Sequence, residues 1–138
     1  MSEQSSVEQR CDDAGAAVIE FVMMSVLLLF LLFGVLQVAV FFYARNVAAS
    51  STADAARYAA AEGIDPRAGA ARAERLIHQG LDDADADAIT CTSRPNRDAA
   101  SGLPTVTVRC RGRVRLLFTP LGVPLTVRVT SSVLREGR

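Results

Sequence analysis

The chain has 138 residues, 15 basic and 15 acidic, with zero formal net charge, and half of it is apolar. Every basic residue is an arginine, and with no cationic surplus nothing global points to nucleic acid. Three cysteines are too few for a disulfide-built scaffold, and the length leaves space for one small domain beside any membrane segment.

Residues 1–14, MSEQSSVEQRCDDA, are polar and aperiodic and are expected to hold no fixed structure. They do not read as a secretory signal, which needs a basic start and an apolar core of only about 7–15 residues. Next, positions 21–44 give 24 residues without a formal charge, 16 of them Leu, Val or Phe. A helix rising about 1.5 Å per residue carries them roughly 36 Å, enough to cross a hydrocarbon core of about 30 Å with some tilt. At about −0.3 to −0.6 kcal/mol for each Leu, Val or Phe, insertion gains roughly 5 to 10 kcal/mol. Backbone groups in lipid must be satisfied within the segment, so a lone span is a helix. The expected division is a leader over 1–15, a membrane helix over 16–45 and a folded domain over 46–138.

Arginines near the span decide little. Arg10 and the initiator amine stand on one side, Arg45 and Arg57 on the other, which leans weakly towards a cytoplasmic carboxyl domain. Cleavage beyond Ala49 would instead release a secreted domain, but Arg45 and the length of the apolar run argue against that.

Past the span, helical character continues to Gly63, the expected stop. Val47, Ser51, Ala55, Tyr58 and Glu62 recur at a spacing of four or three, with Ala44, Ala48, Thr52 and Ala59 alongside, a face small enough for close approach. Asp65 and Pro66 suit the cap and first turn of a second helix, burying Ala73, Leu76 and Ile77 and ending at Gly80. Helices therefore occupy 46–80. The lone histidine, His78, suits the last turn of that helix better than metal binding or acid–base work. The run Asp82-Asp83-Ala84-Asp85-Ala86-Asp87 is no calcium loop: counted from Asp83, Ala88 stands where the loop needs Gly and Arg94 where it needs the closing acid. It reads as a solvated acidic turn.

Strands are expected over 88–133. Ile89 and Cys91 share one side of a short strand, followed by a loop rich in turn formers, SRPNRDAASGLP. Residues 105–116 alternate strictly, with Val106, Val108, Cys110, Val114 and Leu116 on one face and Arg109, Arg111, Arg113 and Arg115 on the other. A turn at Thr119-Pro120-Leu121-Gly122 leads to a third strand with Leu125, Val127, Val129 and Val133 inward. Cys91 and Cys110 fall on apolar faces, so a bridge between adjacent strands is sterically reasonable; two ordinary buried thiols are the alternative. The four arginines suit an anionic partner, such as lipid headgroups, a cell-wall polymer or an acidic patch on another subunit. The bland alternative is a solvated face whose charge blocks unwanted edge pairing.

The most informative local pattern is Gly15, four small or apolar residues, Glu20, Phe21 and then the apolar run. A carboxylate at the head of a membrane helix is a functional hypothesis by default, and the plain alternative is an interfacial acid favoured by the positive helix amino terminus. The spacing resembles the processing site of type IV prepilin-like proteins, which a prepilin peptidase cuts after the Gly. That would make Ala16 the new amino terminus and Glu20 the fifth residue, placed to meet the amino terminus of a neighbouring subunit. With Tyr43-Ala44-Arg45-Asn46 and the Ala-rich segment around Arg57 and Tyr58, residues 13–60 resemble the TadE-like family, minor pseudopilins of tight-adherence (Flp-type) pilus systems. The resemblance implies a bacterial single-pass membrane protein with its amino terminus in the cytoplasm and its domain outside. Its implied partners are membrane lipid, other pilin-like subunits and pilus assembly proteins.

The expected fold class is α+β: a long amino-terminal transmembrane helix continuing into an Ala-rich helix, a second short helix, and an antiparallel sheet of about three strands. No nucleophile with its base, metal cluster or phosphate loop is evident, so neither an enzyme nor a cofactor is expected. The rival reading is a membrane-tethered binding module that uses the Arg face and never enters a filament.

Overall fold

The computed structural model describes residues 3–115 and 125–135, with side chains from Gly15 onward. Three helices and three strands follow in order: α1 (Glu3–Ala60), α2 (Ala68–Gly80), α3 (Asp83–Asp87), β1 (Ile89–Arg97), β2 (Pro104–Val114) and β3 (Leu125–Leu134). This is the α+β layout expected, with one helix more. By internal contacts the chain forms two units, 1–38 and 39–138.

Within the first unit, α1 begins at Glu3, where the sequence suggests no fixed structure. The reason is cooperativity. Residues 3–14 hold neither Pro nor Gly, and extending an existing helix adds one hydrogen bond per residue fixed without a new nucleation step. From Val18 to Val38 nearly every large apolar side chain is exposed, Phe21 at 72% and Phe30 at 73%. Nothing in the unit covers them.

In the second unit, the remaining part of α1 presents the small face. Ala44, Ala48, Thr52, Ala55, Ala56 and Ala59 are buried, whereas Tyr58 lies outside that stripe. Small side chains let a helix backbone approach its neighbours closely, so the Ala stripe is the packing surface itself. The Thr52 hydroxyl is satisfied by donating to the Ala48 carbonyl at 2.6 Å. On the exposed flank, Arg72 meets Asp54 at 3.3 Å and lies over the Tyr58 ring at 5.5 Å. Such a surface pair contributes little.

α1 ends three residues before Gly63, whose φ of 79° is open to glycine and strained for other residues. α2 starts later than Asp65-Pro66 suggests, because Asp65 closes a turn instead: its Oδ1 accepts from Arg67 N–H at 2.9 Å and its carbonyl from Ala68 N–H at 2.9 Å. Gly69, Ala73 and Ile77 are the buried face of α2, and Leu76 is only half-buried. Asp82–Asp87 winds into the five-residue α3 rather than a plain turn, with Asp82 extended at its head and Ala86 buried beneath it.

The sheet is an antiparallel meander in the order β1-β2-β3. β1 runs four residues beyond Ser93, through Pro95, into what the sequence marks as loop. Pro95 is tolerated because β1 is an edge strand, where a missing N–H on the open side breaks no ladder bond. The β1–β2 turn is tied by Ser101, whose hydroxyl donates to Asp98 Oδ2 at 2.7 Å and whose backbone N–H donates at 3.1 Å. These bonds hold the Asp98 carboxyl below its ordinary value of about 3.8, so their contribution is present above that pH and fades as the pH falls through the lowered pKa. Val106, Val108, Cys110, Gly112 and Val114 face inward on β2. A Cβ at Gly112 would stand 2.5 Å from the Ala88 carbonyl oxygen and 2.6 Å from Ile89 Cα, so only glycine lets β1 pair there. Leu116 and the turn at Thr119-Pro120-Leu121-Gly122 lie outside the described residues.

The core lies between the helices and the inner sheet face. Ile77 is the largest wholly buried side chain among the described residues, set among Ala55, Ala56, Ala73, Val108 and Cys110. A second cluster joins Ala44 and Ala48 to Val114 and Val127, with Phe41 packed against it.

Candidate functional site

Three features of the described residues can carry function. The first is the amino-terminal motif. Gly15, Ala16, Glu20 and Phe21 all lie in helical backbone and all are exposed. Ala16 and Glu20 are four apart, on one face of the helix. A side chain on Gly15 would meet nothing within 4 Å. Below the motif, Ser25 donates its hydroxyl to the Phe21 carbonyl at 2.8 Å, which satisfies the one hydroxyl in the upper part of the apolar run.

How much of that run is free for lipid is fixed by packing. Phe41 is half-buried and Ala44 buried against β2 and β3, and the Tyr43 hydroxyl donates to the Gly80 carbonyl at 3.0 Å. The last turn of the apolar run therefore belongs to the domain core. Ahead of that turn, the large apolar side chains from Phe21 to Val38 are exposed, a stretch of roughly 27 Å of helix, close to the thickness of one hydrocarbon core. Hydropathy alone missed this, since it cannot distinguish lipid from a protein interior.

The second feature is the bridge. Cys91 and Cys110 are register partners in β1 and β2, with Cα atoms 4.1 Å apart and a disulfide between them. So short a separation marks a non-hydrogen-bonded pair, which turns the Cys91 N–H outward to the open edge. Glu74 on α2 accepts from it at 3.0 Å. The bridge thus joins two strands at a point where a helix also grips the edge. The side chain of Cys11 lies outside the described residues.

The third feature is the outer sheet face. Arg109, Arg111 and Arg113 are exposed there on β2. Arg115 lies past the last ladder pair, and its backbone N–H donates to Asp85 at 3.0 Å. Two arginines that the sequence reading missed complete the face. Arg94 is hidden in the segment taken for a loop and pairs with Thr107; Arg128 is a single charge in β3 and stands opposite Arg111. A concavity of about 670 Å³ opens on this face, lined by Thr90, Thr92, Arg94, Thr107, Arg109 and Arg111. Residues pointing outward are otherwise Thr, Ser and Asn, with Leu134 at one end, and no acid is among the described ones.

Among the described residues no group of His, Cys, Asp and Glu could hold a metal ion. His78 lies 3.8 Å from Asp83 and 3.4 Å from Asp87, an exposed cluster at the end of α2.

Among the described residues one helix is long and apolar enough to cross a membrane, which fits a single-pass membrane protein. Residues 15–57 match the model of the family described as TadE-like protein, less than half of the chain. That stretch is TadE-like, and the likeness points to a component associated with a Tad-type pilus. It covers the motif, the exposed apolar stretch of α1 and much of the Ala stripe, but none of the sheet. Nothing among the curated proteins or the solved structures matches.

Proposed function

We propose that this chain is a membrane-anchored minor pilin-like component, a pseudopilin, of a Flp/Tad-type pilus or secretion assembly. The observation that carries the proposal is the coincidence of the TadE-like match at 15–57 with an apolar helix that nothing in its own unit covers. A bare helix in lipid is also a surface for other helices, since packing rather than water expulsion drives association there. Its neighbours on this reading are membrane lipid, other pilin-like subunits and pilus assembly proteins.

The leader over 1–15 stays in the cytoplasm on this reading, and the carboxyl unit lies outside. The Cys91–Cys110 bridge supports that orientation, because disulfides persist in oxidising compartments. The nearly balanced arginine count does not outweigh it. A prepilin peptidase would cut after Gly15. As the site is helical, its substrate must unwind locally, and glycine lowers the cost of that step. Ala16 then carries the new amino terminus, and Glu20 neutralises the amino terminus of a neighbour within lipid, where an unpaired charge is expensive. The chain's role is packing and assembly rather than catalysis.

The test is Glu20→Ala. The variant is expected to insert in the membrane as the parent does, while its recovery in assemblies falls at least tenfold, equivalent to about 1.4 kcal/mol. Membrane fractionation followed by cross-linking reads both quantities. Unimpaired assembly would count against the role given to Glu20.

A further inference from the structure

The outer sheet face carries five arginines, and three of them are not placed to block edge pairing. Charges that protect a sheet from unwanted pairing belong on its edges. Here the edges are β1 and β3, whereas Arg109, Arg111 and Arg113 sit on β2, the middle strand. Arg111 also stands directly opposite Arg128 in the ladder, and like charges in that position are destabilising. A fold that keeps such a pair, with Arg94 added from β1 and no acid interspersed, is charged to meet something negative.

The chain itself supplies a complement. It is neutral overall, so its charge is segregated rather than in excess. α3 and its cap hold four carboxylates, Asp82, Asp83, Asp85 and Asp87, within six residues. Asp83 and Asp87 are 97% and 75% exposed, with the His78 ring 3.8 Å and 3.4 Å from them. One helical turn separates these two carboxylates, about 6 Å along the axis. Arg109 and Arg111 are two residues apart on one strand face, about 7 Å. The spacings correspond, and guanidinium–carboxylate pairs can be bidentate.

We propose that the Arg94/Arg109/Arg111/Arg113/Arg128 face docks the Asp82–Asp87 edge of a second copy of this chain. The inference rests on the reading of the chain as an assembly subunit and names the surface by which its carboxyl units meet. One patch binding a different patch is a heterologous contact, which can repeat without closing. Three strands at about 4.8 Å spacing and about 3.4 Å rise per residue give a face of only a few hundred Å². That is below what a stable free dimer needs. The contact is weak by itself and depends on the high effective concentration of copies held in one membrane.

The full chain, with its bridge intact, is labelled in two pools with donor and acceptor fluorophores and reconstituted in vesicles of phosphatidylcholine. Energy transfer between the pools is then compared across variants. Arg109→Glu with Arg111→Glu is expected to weaken association at least tenfold, and Asp83→Arg with Asp87→Arg likewise. All four changes in one chain reverse both partners and are expected to restore association to within about threefold of the parent. Equal transfer in all variants overturns this interface while leaving assembly through the apolar helix standing. Sensitivity to the arginine changes alone, or only when anionic lipid is present, overturns it in favour of a lipid or polymer ligand. Absence of transfer in the parent overturns it and counts against the assembly reading as well.

Discussion

Ile77→Ala is expected to destabilise the carboxyl unit by about 3 to 4 kcal/mol, the largest effect of any single truncation among its described residues. Ile77 is wholly buried where α2 meets the small face of α1 and the inner sheet face. Large-to-small substitutions in cores lose about 2 to 5 kcal/mol, and the loss depends on how far the surroundings can collapse. Here the surroundings include Ala55, Ala56 and Ala73, which have no rotamers with which to fill a void, together with the β-branched Val108 and the bridged Cys110, whose side chains have little freedom to move. The cavity stays open, which puts the site in the upper half of that range. For a domain near 100 residues, each 1 kcal/mol moves the midpoint by about 4 to 8 °C, so a fall of roughly 12 °C or more is expected. Amide exchange across β2 during thermal unfolding of the full chain in detergent isolates this unit from the membrane helix. A loss below about 1 kcal/mol would contradict the packing described for Ile77.

Removing the bridge is expected to have an effect of similar size. Cys91 and Cys110 are 19 residues apart in sequence. Releasing a loop of that length gives back about 3 kcal/mol of unfolded-chain entropy. Cys91→Ala with Cys110→Ala is the cleaner test than serine, because both positions are buried and a hydroxyl there would need a partner. The double variant and Ile77→Ala fall in one core cluster, so their effects should not add. If the same exchange measurement gives less than about 1 kcal/mol for the double variant, the bridge does not hold the two strands together in the way described.

The elements with a strong period were legible in the sequence. Strict alternation over 105–114 exposed β2 and its two faces, because a half-buried strand needs period two. The uncharged run exposed α1 by length alone. Signals that depend on tertiary context were not legible. Pro95 looked like a loop residue because nothing local says that β1 is an edge. Arg94 and Arg128 join the Arg face only through register, which one strand cannot reveal. Asp65 and Pro66 carry the signature of a helix start, yet a turn takes the cap and α2 begins at Ala68. Phe41 looked like a membrane residue, and its packing against the cluster of Ala44, Ala48, Val114 and Val127 follows from the sheet's position; Ala44 was legible only as part of the small face. Gly15 and Glu20 were visible as a motif because the pattern lies in their spacing; the partners proposed for them are on other molecules.

The account depends most on the apolar helix remaining part of the working protein. Intact mass of the chain recovered from separated membrane and soluble fractions tests this directly. The expected result is recovery with the membrane, at a mass beginning at Met1 or Ala16, so that residues 21–40 are retained. A soluble chain whose mass begins at Ser50, with the Cys91–Cys110 bridge and the sheet intact, would contradict it.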